Sequence, residues 1–240
     1  MRAAVVISCC FLAVSSAIAR EVKGVPQIVD ADTIYEGTVK IRLLGIDAPE
    51  TDQVCLDAGG KAWDCGIVAR EQLRAFAREQ SWNCELTGQD VYRRHLGSCT
   101  VSGQDVSRWL VRNGWALAFR RYSTAYVADE DFAREQQHGL WSGAFVAPWE
   151  WRHRSNNTVI LGAIAVPVQA QRILMAPATV AEPPSPACVI KGNLKGAHEC
   201  IYHVPGGRFY DRLSMDRNSS RRWFCSAADA EAAGCRKSKL

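Results

Sequence analysis

The chain has 240 residues, 48% hydrophobic and 22% charged, a balance that excludes a wholly disordered or collagen-like polypeptide. Its net charge is +4 and it carries ten cysteines, a count that points to an oxidising compartment. Beyond the N-terminus there is no uninterrupted apolar stretch of about eighteen residues, which excludes a multi-span membrane protein.

Residues 1–19 read as a signal peptide. Arg2 is the positive start, residues 3–14 the apolar stretch, and Ala17-Ile18-Ala19 the small-residue cleavage pattern. Cleavage after Ala19 removes Cys9 and Cys10 and leaves eight cysteines in a periplasmic or secreted protein, with no stable membrane insertion afterwards. Residues 26–29 and 38–46 are predicted strands around a Glu36-Gly37 turn, because Val39, Ile41 and Leu43 alternate with Lys40, Arg42 and Leu44. Ala69, Leu73, Phe76 and Ala77 recur at helical spacing and predict an amphipathic helix over 67–78. A second hairpin is predicted from strands 82–86 and 96–101, joined by residues 87–95. A short helix follows from Asp105 to Asn113-Gly114, and a last one spans 126–137. Strands first and helices after them predict a mainly β (α+β) domain, a small barrel with packed helices, over residues 20–157. Cys84 and Cys99 lie on the two arms of the second hairpin and face each other across it. Cys55 and Cys65 bracket one loop.

Charge divides the chain. Residues 20–157 carry 17 basic and 19 acidic side chains, a net of −2, whereas residues 188–240 carry 10 and 5, a net of +5. Bulk attraction to a polyanion is therefore excluded for the larger part, and any grip on phosphate there is local. Residues 158–187 separate the two regimes. They are rich in Ala, Val and Pro and read as a proline-stiffened linker, its apolar start packed against a domain.

Three polar clusters flank the predicted strands: Asp30-Ala31-Asp32-Thr33, the run from Ile41 to Thr51, and Tyr92-Arg93-Arg94. Singly, each has a bland reading as a turn, cap or surface charge. Together they suit phosphoryl transfer. Asp32 and Asp47, with the Ala48 carbonyl, supply oxygen ligands for a hard cation, and calcium takes carboxylate, carbonyl and water oxygens. Glu50, just beyond Pro49, is the carboxylate that activates or orients water. Arg42 and Arg94 are guanidinium groups able to fork onto phosphoryl oxygens.

The order D-x-D-T, I-R-L-L-G-I-D-A-P-E-T, Y-x-R and G-L-W at Gly139-Leu140-Trp141 resembles the staphylococcal nuclease (thermonuclease-like) family over roughly residues 25–152. The resemblance implies a five-stranded OB-type barrel and calcium-dependent cleavage of DNA or RNA. It further implies that Asp32 and Asp47 hold metal, that Arg42, Glu50 and Arg94 are catalytic, and that Tyr92 contacts phosphate. The chain departs from the family in having Arg93 before the second arginine and Ala31 after the first aspartate, where glycine is usual.

The tail, from Cys188-Val189-Ile190-Lys191-Gly192-Asn193 to Trp223-Phe224-Cys225, resembles a small module appended to secreted nuclease-like proteins. That resemblance implies a Cys188–Cys225 pair at the module's usual positions, which leaves Cys200 and Cys235 to each other. As a whole the chain resembles nuclease-like proteins of bacterial succinoglycan biosynthesis, which implies the exopolysaccharide machinery as a partner beside a nucleic-acid substrate. Two functions follow as expectations: an exported nuclease, or a non-catalytic barrel that binds a polymer or partner during exopolysaccharide production.

Overall fold

In the computed structural model of the chain, the described residues are 20–151, 154–155, 157–162, 166–175, 183, 185–195, 199–213, 215 and 221–239. The signal-peptide reading of residues 1–19 lies outside them, as does part of the linker. The first half contains β1 (Arg20–Gly24), β2 (Gln27–Ile28), β3 (Thr33–Glu36), β4 (Val39–Leu43), β5 (Ile46–Asp47), β6 (Cys55–Leu56) and β7 (Ala62–Trp63), then α1 (Cys65–Ala77). There follow β8 (Trp82–Gln89), β9 (His95–Val101), β10 (Gln104–Asp105), α2 (Val106–Arg112), β11 (Leu117–Ala118) and α3 (Val127–Glu135). The chain continues through a 3₁₀ turn at Gly139–Ser142, β12 (Ala144–Val146), α4 (Pro148–Trp151), β13 (Ile160–Gly162) and α5 (Val168–Met175). The tail holds β14 (Ile190–Lys195), β15 (Glu199–His203), β16 (Arg221–Phe224), α6 (Ala227–Ala232) and β17 (Cys235–Lys237).

The main sheet runs β1-β8-β9-β4-β3-β2 and curls into a half-barrel, the mainly β, OB-like architecture expected from the sequence. All its neighbours are antiparallel except β4 and β9, which pair in parallel with Ile41 beside His95 and Arg42 beside Leu96. The alternation read along β4 buries Ile41 and Leu43 among Ile34, Ile46, Leu73, Trp82 and Leu110. Burial of this kind contributes about 1.5–3 kcal/mol per large aliphatic side chain.

The predicted strand over 38–46 is in fact two. Gly45 adopts φ +78° and turns the chain, so that Ile46–Asp47 pairs with β11 instead of continuing β4. An L-residue there would be strained, and its Cβ would meet Ser123 and Tyr126 at 3.1 Å. The predicted helices are present, α1 beginning two residues earlier than read. Asp105 caps α2 by accepting from the Arg108 N–H at 2.9 Å. Four disulfides form, Cys55–Cys65, Cys84–Cys99, Cys188–Cys225 and Cys200–Cys235. Within the segment read as linker, β13 pairs with β12 and Leu174 of α5 packs on Leu56, Val146 and Trp151. Val166 and Leu174 of that segment are buried against the first domain, and Ile160 and Leu161 pack partly against it.

The tail is a separate sheet, ordered β16-β14-β15-β17, with α6 against it and a core of Ile190, Tyr202, Phe224 and Ala230. The Cys200–Cys235 bridge joins its parallel strands β15 and β17.

Candidate functional site

Strand register gathers the polar clusters. Thr33 stands opposite Arg42 across β3 and β4, and the Leu43 amide donates to the Asp32 carbonyl at 2.8 Å. Arg42 is also opposite Leu96. Arg94, two residues before Leu96, therefore falls on the same face of the neighbouring strand. The turn at Gly45 brings Asp47 back beside Arg42. Gly66 at the start of α1 lets the Glu50 loop lie close: a Cβ there would fall 1.6 Å from the Glu50 carbonyl oxygen.

The guanidinium of Arg42 is the centre. Its Nη1 lies 2.8 Å from Asp32 Oδ2, and its Nη2 binds Asp47 Oδ1. Asp32 Oδ2 also accepts from the Ala48 N–H at 3.1 Å, and Asp32 Oδ1 accepts from the Thr33 hydroxyl at 2.9 Å. Burial opposes the Asp32 charge, but Arg42 and the Ala48 amide outweigh it and hold this carboxyl below the ordinary range. Asp47 goes the other way. Burial, then the adjacent Asp32 charge, push it up to about 7, and the same two causes lift Asp30 to about 8.

Arg94 is held by a residue that the sequence reading passed over. Asp90 Oδ1 accepts from the amides of Tyr92 (2.9 Å) and Arg94 (3.0 Å), while its Oδ2 lies 2.7 Å from both Nε and Nη2 of Arg94. Aspartate binding the amide two residues on is the signature of an Asx turn, which was the available signal. Arg94 Nη1 then reaches the Thr33 hydroxyl at 3.4 Å. Tyr92 is exposed, its ring 5.5 Å from the Arg94 guanidinium carbon.

Arg93 sits in this turn at φ +62°, in the left-handed region where glycine is at home. That explains the family's glycine at this position. Arg93→Gly is expected to leave the fold intact and to change stability by no more than about 1 kcal/mol, strain relief offsetting the entropy of glycine. Thermal melting of the two proteins checks it.

Asp30, Asp32, Thr33, Lys40, Arg42, Glu50, Thr51 and Arg94 line one cavity of about 70 Å³. Asp47 joins it through Arg42, while Tyr92 stays at the rim of the hairpin loop. The tail enters the same cavity through Arg222, Phe224, Asp229 and Ala233, and Arg222 Nη2 lies 3.3 Å from Glu50 Oε2. No local pattern in the sequence signals that contact.

Among the described residues no set of three or more His, Cys, Asp or Glu is arranged as a metal cluster. The donors at hand are all hard oxygens, and two of the carboxyls, Asp30 and Asp47, are lifted by burial and by the charge of Asp32, which a bound cation relieves. The chemistry of the set fits a hard divalent cation whose shell water completes. It is the Ala48 N–H that meets Asp32.

A further surface follows β11. Beyond β11, which pairs with the Asp47 strand, Phe119 stacks on Trp149 with centroids 5.4 Å apart and meets Tyr122 edge-on at 4.9 Å. Tyr122 and Trp149 are exposed, as are Arg120 and Arg121 between them.

Comparison with known proteins matches residues 40–143 to the family described as Staphylococcal nuclease homologue. The chain is 33% identical over 138 residues to an uncharacterized endonuclease of Escherichia coli O157:H7, covering 54% of this chain and 84% of that protein. It is 32% identical over 151 residues to the micrococcal nuclease of Shigella flexneri, covering 55% and 81%. It is also 33% identical over 126 residues to the succinoglycan biosynthesis protein ExoI of Rhizobium meliloti (strain 1021), covering 51% of this chain and 66% of ExoI.

Proposed function

We propose that this chain, which belongs to the staphylococcal nuclease homologue family, is an exported calcium-dependent nuclease that hydrolyses phosphodiester bonds of DNA or RNA. The observation that carries the reading is the meeting of Arg42, Arg94 and Glu50 in one cavity with the buried Asp32. Water attacks phosphorus, forming one P–O bond as the bond to the leaving oxygen breaks. Glu50 orients the water and takes its proton, and the leaving oxygen is protonated from solvent. Arg42 and Arg94 stabilise the charge that builds on the phosphoryl oxygens, and Asp90 fixes the direction of Arg94 beforehand. Asp32, Asp47 and the Ala48 carbonyl, with water, would hold a calcium ion, which would supply further positive charge to offset that of the phosphate. Tyr92, at the exposed loop tip, contacts a phosphate along the strand. Phe119, Tyr122 and Trp149 give the bases a sequence-tolerant stacking surface.

Export is supported by the four disulfides. Among the described residues no helix is long and apolar enough to cross a membrane. The test is an activity gel of the full chain on DNA and RNA, with calcium and with chelator. Cleavage lost on chelation is expected, and no cleavage under any condition defeats the reading. In that event the likeness to ExoI favours a non-catalytic binding role with the exopolysaccharide machinery as partner.

Asp47→Ala is expected to weaken calcium binding on the order of tenfold or more. The apo fold survives because Arg42 keeps its pair with Asp32. Titration calorimetry giving an unchanged calcium affinity would remove Asp47 from the ligand set.

A further inference from the structure

The tail module forms part of the wall of the candidate cavity. It carries its own sheet, core and both of its disulfides, so it is a unit in its own right. Three of its residues, Ala232, Asp229 and Arg222, moor it to the first domain around the cavity by polar contacts. The carbonyl of Ala232, at the end of α6, accepts from the Tyr35 hydroxyl at 2.8 Å and from Lys40 Nζ at 3.3 Å. Asp229, one turn earlier, forms a buried ion pair with Arg70 of α1. The third residue is Arg222, on Glu50, with the Arg222 guanidinium carbon 5.2 Å from the centre of the Phe224 ring. The Cys188–Cys225 bridge lies against the Glu50 loop, Cys225 Sγ being 3.2 Å from the Thr51 carbonyl oxygen.

Two consequences bear on the site. The cavity that remains, about 70 Å³, takes a few waters, whereas pockets for small ligands run to roughly 300–1,000 Å³. The carboxylate assigned to water activation already has a cation beside it, a guanidinium from the other module. A polyanion and the tail therefore compete for one place, the tail filling it with Arg222, Phe224 and the end of α6.

We propose that the C-terminal module is an intramolecular cap, which covers the catalytic cavity and occupies Glu50 through Arg222, and keeps the protein latent until it is displaced. The proposal takes its substrate class, nucleic acid, from the nuclease reading. Capping lowers the apparent affinity for substrate by the fraction of molecules that stand open. Loosening the cap therefore raises affinity and leaves the chemistry on the first domain intact.

The test uses the full chain as wild type, Asp229→Ala, and Asp229→Ala combined with Tyr35→Phe. Neither residue belongs to the assigned catalytic set. A phosphorothioate oligonucleotide that resists cleavage reports binding by fluorescence anisotropy at fixed salt, and an ordinary oligonucleotide reports cleavage. Circular dichroism selects variants that retain the fold, and Arg222→Ala, at a more exposed position, replaces either one that does not. Binding tightened by about tenfold or more in the loosened variants supports the cap. It does so even if no variant cleaves, in which case the nuclease reading falls and the cap stands. Binding unchanged, weakened or undetectable in every variant overturns the cap. If wild type and variants cleave alike under those conditions, the nuclease reading survives and the module becomes part of the substrate site.

Discussion

Glu50→Gln is expected to lower turnover by on the order of 10²–10⁴, the usual cost of losing a positioned general base. The amide keeps the shape of the side chain, so the loop braced by Gly66 is undisturbed. Substrate affinity should hold steady or rise, because the variant also gives up the charged contact with Arg222. Reduced turnover without a raised KM is the signature of a group acting in the transition state. Steady-state kinetics in calcium-saturated buffer at constant salt measure both quantities, since phosphate contacts are screened by ions. Turnover within a few-fold of wild type would take the water-activating role away from Glu50.

Arg42→Ala combines a catalytic loss with a structural one. Turnover should fall by on the order of 10² or more, as when a preorganised donor is removed from a developing oxyanion. The fold also depends on this side chain, which lies between Asp32 and Asp47 and is itself largely buried. Removing one partner of a buried ionic cluster leaves uncompensated charge and costs roughly 3–5 kcal/mol. For a chain of this size that corresponds to a melting temperature lower by about 6–20 °C. Asp47→Asn in the same background should recover much of the loss, because it removes one stranded carboxylate. A single variant that melts like wild type would mean that the cluster contributes little. Arg94→Ala should lose comparable turnover and little stability, since its partner Asp90 keeps its bonds to the turn amides.

The residues of the proposed site were legible as candidates because each lies on or beside a short, locally specified element. Period-two alternation placed Arg42 in β4, and the D-A-P-E string placed Asp47 at a strand end and Glu50 on the loop that follows. Hairpin pairing set Cys84 opposite Cys99, where the register has them. Local signals had limits even here. The glycine at position 45 was read through as strand, though its positive φ is what returns Asp47 to Arg42. The short strands β1, at the sheet edge, and β3, inside it, lack enough alternating residues to stand out. Their pairing is decided by partners at β8 and β4.

By itself the sequence supplied the residues of the proposed site, the cysteine partners and the division into two parts of unlike charge. Those properties depend on residue identity, on spacing within one hairpin or loop for Cys84–Cys99 and Cys55–Cys65, and on the resemblance of the tail for the other two pairs. Only the tertiary structure decided that Arg222 meets Glu50 across 172 positions and that Asp229 meets Arg70 across 159. Contacts at such separations leave no periodicity or spacing to read. They exist because the tail sheet and the main domain present complementary charge where they meet.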